Sequence, residues 1–124
     1  MTQTHNGKAF EYALSRAFSK ITQAMLQENS SLEIAKNFYE TLGHDHKNIL
    51  QRASLEAALF LQVEDPRINQ AHSICLQRDN VGIKGDVRDI VIEVPKNQIG
   101  ISAKYNHTAV KHCRLSETID FGKE

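Results

Sequence analysis

The stretch from Asp89 to Tyr105, DIVIEV-PKNQ-IGISAKY, constrains the fold of this chain more than any other segment. Asp89 to Val94 is β-branched and reads as a strand, Pro95 to Gln98 carries turn chemistry, and Ile99 to Tyr105 alternates like a second strand. Together they predict an antiparallel hairpin. Everything before Pro66 has the opposite texture, with almost no Gly or Pro. From Gly7 to Gln27, apolar residues recur at Phe10, Ala13, Leu14, Ala17, Phe18, Ile21 and Met25, the spacing of one helix face, with Thr4 or Asn6 as candidate caps. A second helix is expected over Ser31 to Leu42, with Ser30 or Ser31 as N-cap and Leu32, Ala35, Phe38 and Leu42 on one side. A third runs from Lys47 to Val63, carrying Ile49, Leu50, Ala53, Ala57, Leu59, Phe60 and Leu61, and Pro66 closes it. Ser73 to Arg78 reads as a short strand or a helix turn. Asp79 to Gly85 is loop chemistry, and Thr108 to Leu115 is expected to be a short helix capped by Asn106 or Thr108. The predicted class is α+β: N-terminal helices packed against a small mixed sheet with a central antiparallel hairpin. A length of 124 residues fits one domain, 1–124, helical over about 7–66, with the hairpin and its following helix over about 72–124.

Composition narrows the class. Hydrophobic residues at 40% and charged residues at 24% exclude a disordered or fibrous chain. No apolar run is long enough for a membrane span, and the N-terminus lacks a signal pattern, so a cytoplasmic site and no membrane partner are expected. Cys75 and Cys113 lie far apart with no CxxC, which indicates neither a disulfide framework nor a zinc ribbon; both read as small buried hydrophobes. Fifteen basic against fifteen acidic residues would argue against a nucleic-acid partner, were the charge evenly spread. It is not. Between Val94 and Ser116 there is no acid, but Lys96, Lys104, Lys111, Arg114, His107 and His112 are present, and Asp86, Asp89 and Glu93 stand just before. Such a window reads either as a solvated basic face or as a surface that meets phosphates.

Asp89 and Lys104 are nearly symmetric about the predicted turn, so they are expected as close cross-strand neighbours. An ordinary salt bridge is one reading. The other is metal-dependent phosphodiester hydrolysis. The carboxylate would hold Mg²⁺, and the lysine would stabilise the attacking water or the developing charge. His44-Asp45-His46 looks like a metal tripeptide, but alternate residues at a helix start diverge, which disfavours a ligand role.

GDVRDIVIEV followed by IGISAKYNH resembles the PD-(D/E)XK nuclease core, in which an Asp opens one strand and an x-Lys motif closes its neighbour. NGKAFEYALSRAF is similar to the first helix of such nucleases, where a glutamate, here Glu11, approaches the metal. The longer stretch DVRDIVIEV…IGISAKYNHTAVKHCRLSETIDFG resembles the HaeIII-type restriction endonucleases over roughly the last 40 residues. The resemblance implies a restriction-endonuclease-like core, in a longer enzyme of which this chain would be the N-terminal part. Its activity would be Mg²⁺-dependent cleavage of double-stranded DNA at GGCC, with a cognate methyltransferase as functional partner; a homodimer is compatible with it. Carried over residue by residue, Asp89 would be the metal-binding acid, with Asp86 as alternative or second contact and Glu11 as a further ligand. Lys104 would be the catalytic lysine. The motif acid two residues before that lysine is replaced by Ser102, which nominates Glu117 as its substitute, with Glu11 and Glu93 as rivals. Asn106 and His107 would meet the scissile phosphate or a metal-bound water, and Lys111, His112 and Arg114 the DNA backbone. Two other classes compete: a non-catalytic DNA-binding or assembly module in which Asp89–Lys104 is a salt bridge, and a helical protein-interaction domain.

Overall fold

The structure, a computed structural model, describes residues 2–77 and 89–102 together with the strands at 105–106, 109–110 and 114–116. Three helices come first: α1 (Thr2–Thr22), α2 (Ser30–Glu40) and α3 (His44–Glu64), followed by a 3-10 turn, Pro66–Gln70. The strands are β1 (Met25–Leu26), β2 (Ser73–Leu76), β3 (Ile90–Val94), β4 (Asn97–Ser102), β5 (Tyr105–Asn106), β6 (Ala109–Val110) and β7 (Arg114–Ser116). Five of them form one mixed sheet in the order β1-β2-β3-β4-β7, parallel between β1 and β2 and antiparallel elsewhere; β5 and β6 make a separate ribbon. The α+β class, the mixed sheet and the central hairpin are as expected.

α1 is the hub. Its Phe10, Leu14 and Phe18 are fully buried, as are Ala9 and Ser15, and it packs against α2, α3 and β2. Burying each large apolar side chain contributes roughly 1.5–3 kcal/mol relative to leaving it in water. The opposing wall of the core is one face of the sheet: Ile74 and Leu76, Ile90, Ile92 and Val94, and Ile99 and Ile101. Small residues on α3 (Ser54, Ala57, Ala58) are buried with Leu50 and Leu61, whereas Ile49, Leu59, Phe60 and Val63 stay exposed.

Several boundaries differ from expectation, each for a local reason. α1 stops at Thr22 because Gln23 takes a left-handed conformation (φ 65°), and Met25, expected on the helix, lies on β1. Thr4 and Asn6 lie inside α1. The cap of α2 is Asn29, whose Oδ1 accepts from the Leu32 N–H at 2.8 Å. The α3 helix begins at His44. The hairpin turn is tighter than Pro95–Gln98: Val94 pairs with Asn97, leaving Pro95 and Lys96 as a two-residue connection with Lys96 at φ 67°. The expected helix over Thr108–Leu115 is instead β6 and β7. Thr108, Val110, His112 and Cys113 are weak helix formers, and the edge of β4 offers unpaired backbone groups that β7 satisfies, with Leu115 opposite Ile101.

Candidate active site on the hairpin

The sheet has two chemically distinct faces. Its even-numbered positions on β2 and β3, and their odd-numbered partners on β4, form the apolar wall of the core. Strand alternation puts Ser73 and Cys75 on the other face, with Val91 and Glu93, and with Gln98, Gly100 and Ser102. Asp89 enters on this polar face, half-buried, directly before β3. Its backbone is held from both sides: its N–H donates to the Ile101 carbonyl at 2.8 Å, and its carbonyl accepts from the Gln77 N–H at 2.9 Å. The backbone at Asp89, directly before the central strand, is thereby fixed between β2 and β4.

The tighter turn changes what stands across from it. Ile90 pairs with Ile101, so the residue opposite Asp89 is Ser102, which is buried. The expected direct pairing with Lys104 is thus replaced: Lys104 follows two positions later and lies outside the described residues. Ser102 in turn faces Arg114 in the register with β7, so Arg114 sits on a sheet strand rather than on a helix. Glu93 shares the face of Asp89 and accepts from Gln98 Nε2 at 3.0 Å. Four residues along a strand separate the two acids by about 13 Å, too far to share one metal ion. Glu93 therefore does not supply the missing motif acid.

Other expected residues are placed as follows. Glu11 is half-buried on α1. Asn106 lies on β5 opposite Ala109, in a ribbon whose strands approach α1 and α3. Asp86, His107, Lys111, His112 and Glu117 lie outside the described residues, as does Cys113. His44 is exposed on the first turn of α3, its Nε2 3.3 Å from Asn48 Nδ2. Among the described residues, no three His, Cys, Asp or Glu side chains converge on a metal-sized site. Cys75 is half-buried on the polar face rather than in the core, with Sγ 3.3 Å from the Asn29 amide. Burial pushes its thiol pKa up, the Asn29 contact opposing and the Glu93 charge adding to that shift. The polar row of Gln98, Gly100 and Ser102 against Ile99 and Ile101 was legible as period-two alternation, but which acid it would serve depended on the register.

A family model described as HaeIII restriction endonuclease matches residues 7–124 of this sequence. The chain belongs to the HaeIII restriction endonuclease family. It is 32% identical over 128 aligned residues to "Type II restriction enzyme HaeIII" of Haemophilus aegyptius, an alignment that takes in 96% of this chain. The chain spans 40% of the length of that curated relative. No solved structure matches it. No helix among the described residues is long and apolar enough to cross a membrane.

Proposed function

We propose that this family member hydrolyses phosphodiester bonds of double-stranded DNA as a Mg²⁺-dependent type II restriction endonuclease, at GGCC by resemblance. The observation that carries the reading is Asp89, pinned by two backbone hydrogen bonds on the polar face of the hairpin, opposite Ser102. Ser102 holds the (D/E) position of the motif in the sequence and stands opposite Asp89 in the register, and Lys104 follows it as the motif requires.

The oxygens present suit the ion. Mg²⁺ takes hard oxygen donors and keeps several waters, so one or two carboxylates suffice alongside substrate phosphate. Asp89 would hold it, with Asp86 or Glu11 as a second acid and the Ser102 hydroxyl as a neutral oxygen opposite. When bound, the ion lowers the pKa of its water and polarises the phosphate. Lys104 orients the attacking water and stabilises the charge that develops on the phosphate oxygens. Glu117 is the proposed substitute for the motif acid that Ser102 replaces, and His107 the proposed contact to the scissile phosphate or a metal-bound water. Asn106, Lys111, His112 and Arg114 hold the backbone in register, a role that needs cations and amides rather than base contacts. A cognate methyltransferase as functional partner, a homodimer and a cytoplasmic site complete the proposal.

A second reading rests on a specific observation: Ser102 stands where the motif carries an acid. In that reading the chain is a DNA-binding or assembly module with Asp89–Lys104 as a salt bridge. The test compares Lys104→Ala and Asp89→Asn in the intact protein. The nuclease reading expects both variants to keep salt-sensitive duplex binding and to lose Mg²⁺-dependent cutting. Duplex binding with no cutting by the unaltered protein in Mg²⁺ would favour the module.

A further inference from the structure

Between Ala9 and Phe18 most residues of α1 are buried, yet Arg16 and Lys20, one helical turn apart, are exposed side by side. They open into a cleft of about 200 Å³ between the three helices. Tyr39 of α2 and Gln51 and Ser54 of α3 complete its polar lining, over a floor that includes Ala13 and Ala17. Among the described residues, no carboxylate lines it. Of the ion pairs identified among the described residues, Arg67–Asp65 and Lys47–Glu40, neither lines the cleft, although Lys47 Nζ lies 5.5 Å from the Tyr39 ring centroid. Arg16 lies over the Tyr12 ring, 5.5 Å from its centroid, a contact that leaves the guanidinium N–H groups available.

The neutral side of the cleft also has a donor to spare. The Tyr39 hydroxyl is buried and accepts from Gln51 Nε2 at 2.6 Å. Its own proton has no acceptor among the described residues. Turning the Gln51 amide over would satisfy that proton and free the amide N–H₂ instead, so the pair keeps donor protons to spare either way. Two cations with no carboxylate partner among the described residues, a spare donor and no acid among the described lining residues describe an anion site. Its volume lies below the roughly 300–1,000 Å³ of pockets that enclose whole small ligands. It suits a single tetrahedral oxyanion.

The geometry points to a phosphate-binding site in the α1–α2–α3 cleft, held by Arg16 and Lys20 and oriented by the Tyr39–Gln51 pair. The phosphate belongs either to a nucleic-acid backbone, in which case the cleft is a second DNA contact remote from the hairpin and rests on the proposed nuclease reading, or to free inorganic phosphate.

The test uses the full chain with Mg²⁺ omitted, as wild type, as Arg16→Gln/Lys20→Gln, and as a Lys36→Gln control on the exposed side of α2. Inorganic phosphate is titrated against matched chloride while the Gln51 side-chain amide resonances, present in every variant, are followed. A duplex of unrelated sequence is titrated across salt concentrations by anisotropy. The proposal expects saturable phosphate shifts in wild type and control that vanish in the double variant. Loss in the double variant of duplex affinity, with a salt slope shallower by about 0.9 per phosphate contact removed, assigns the phosphate to DNA. Vanishing phosphate shifts with unchanged duplex binding assign it to free phosphate. Phosphate shifts that are absent in wild type, or that persist in the double variant, overturn the site. Asp89→Asn is measured in parallel: failure of the nuclease reading appears as unaltered cutting by that variant and leaves the phosphate titration unaffected.

Discussion

Replacing Asn29 with Ala should destabilise the protein by about 2–4 kcal/mol, because this one side chain closes two hydrogen-bonding patterns. Along the parallel β1–β2 edge, the Met25 N–H donates to the His72 carbonyl at 3.1 Å and the Gln27 N–H to the Ile74 carbonyl at 2.8 Å. The next carbonyl in that row is Leu76, and it accepts from Asn29 Nδ2 at 3.2 Å. The amide therefore continues the ladder where the backbone turns away into α2, while its Oδ1 caps that helix through the Leu32 N–H at 2.8 Å. Losing an N-cap costs about 1 kcal/mol. Leaving a part-buried carbonyl without its partner costs about 1–3 kcal/mol more. Asn29→Asp separates the two terms, since a carboxylate still caps but cannot donate to Leu76, and its charge is favourable at a helix N-terminus. Its net cost should be about 1 kcal/mol. Urea unfolding followed by circular dichroism measures both. The expected order of stability is wild type, then Asp, then Ala. Equal losses for Asp and Ala, or an Ala variant within about 0.5 kcal/mol of wild type, would refute the double role.

Three further outcomes are expected. Arg67 donates through Nε to Asp65 Oδ1 at 2.9 Å, and that hydrogen bond, against a smaller opposing effect of burial, holds the Asp65 carboxyl below its ordinary value. A depressed folded value stabilises above the unfolded pKa of about 3.9 and is lost as pH falls through the folded one. Asp65→Asn should therefore cost no more than about 1 kcal/mol at pH 7, because Arg67 is half exposed, and nothing at a pH below the folded value; unfolding curves at the two pH values check this. In a Cys113→Ser background, Cys75 should be alkylated more slowly at pH 8 in the folded protein than in urea, since burial raises its thiol pKa; equal rates would contradict that environment. Lys96→Gly should stabilise the hairpin by up to about 1 kcal/mol, measured by thermal unfolding, because Lys96 sits at φ 67°.

Much of this fold is legible in the sequence, and the failures have physical causes. α1 shows in the spacing of Phe10, Leu14 and Phe18, and the hairpin in the β-branched run before Pro95. Periodicity continued α1 through Met25 because it carries no information about the left-handed Gln23. On α3 the large residues Ile49, Leu59 and Phe60 look like core, but close packing of helices favours the small faces, and Ser54, Ala57 and Ala58 are buried instead. Asp89 stood out in the sequence as the candidate acid because of the strand that follows it. Its partner did not, because a two-residue turn rather than a four-residue one shifts the register and puts Ser102 across from it. The Arg16–Lys20 cleft went unseen because its polar wall comes from Tyr39, Gln51 and Ser54 on two other helices.

The central claim is that Asp89 on the hairpin is the metal-binding acid of a DNA-cleaving enzyme. Plasmid cleavage by the intact protein in Mg²⁺, comparing wild type with Asp89→Ala and with Glu93→Gln as a control on the same face, tests it most directly. Cutting should be lost in Asp89→Ala, with duplex binding retained, and kept in Glu93→Gln. Undiminished Mg²⁺-dependent cutting by Asp89→Ala would contradict the claim.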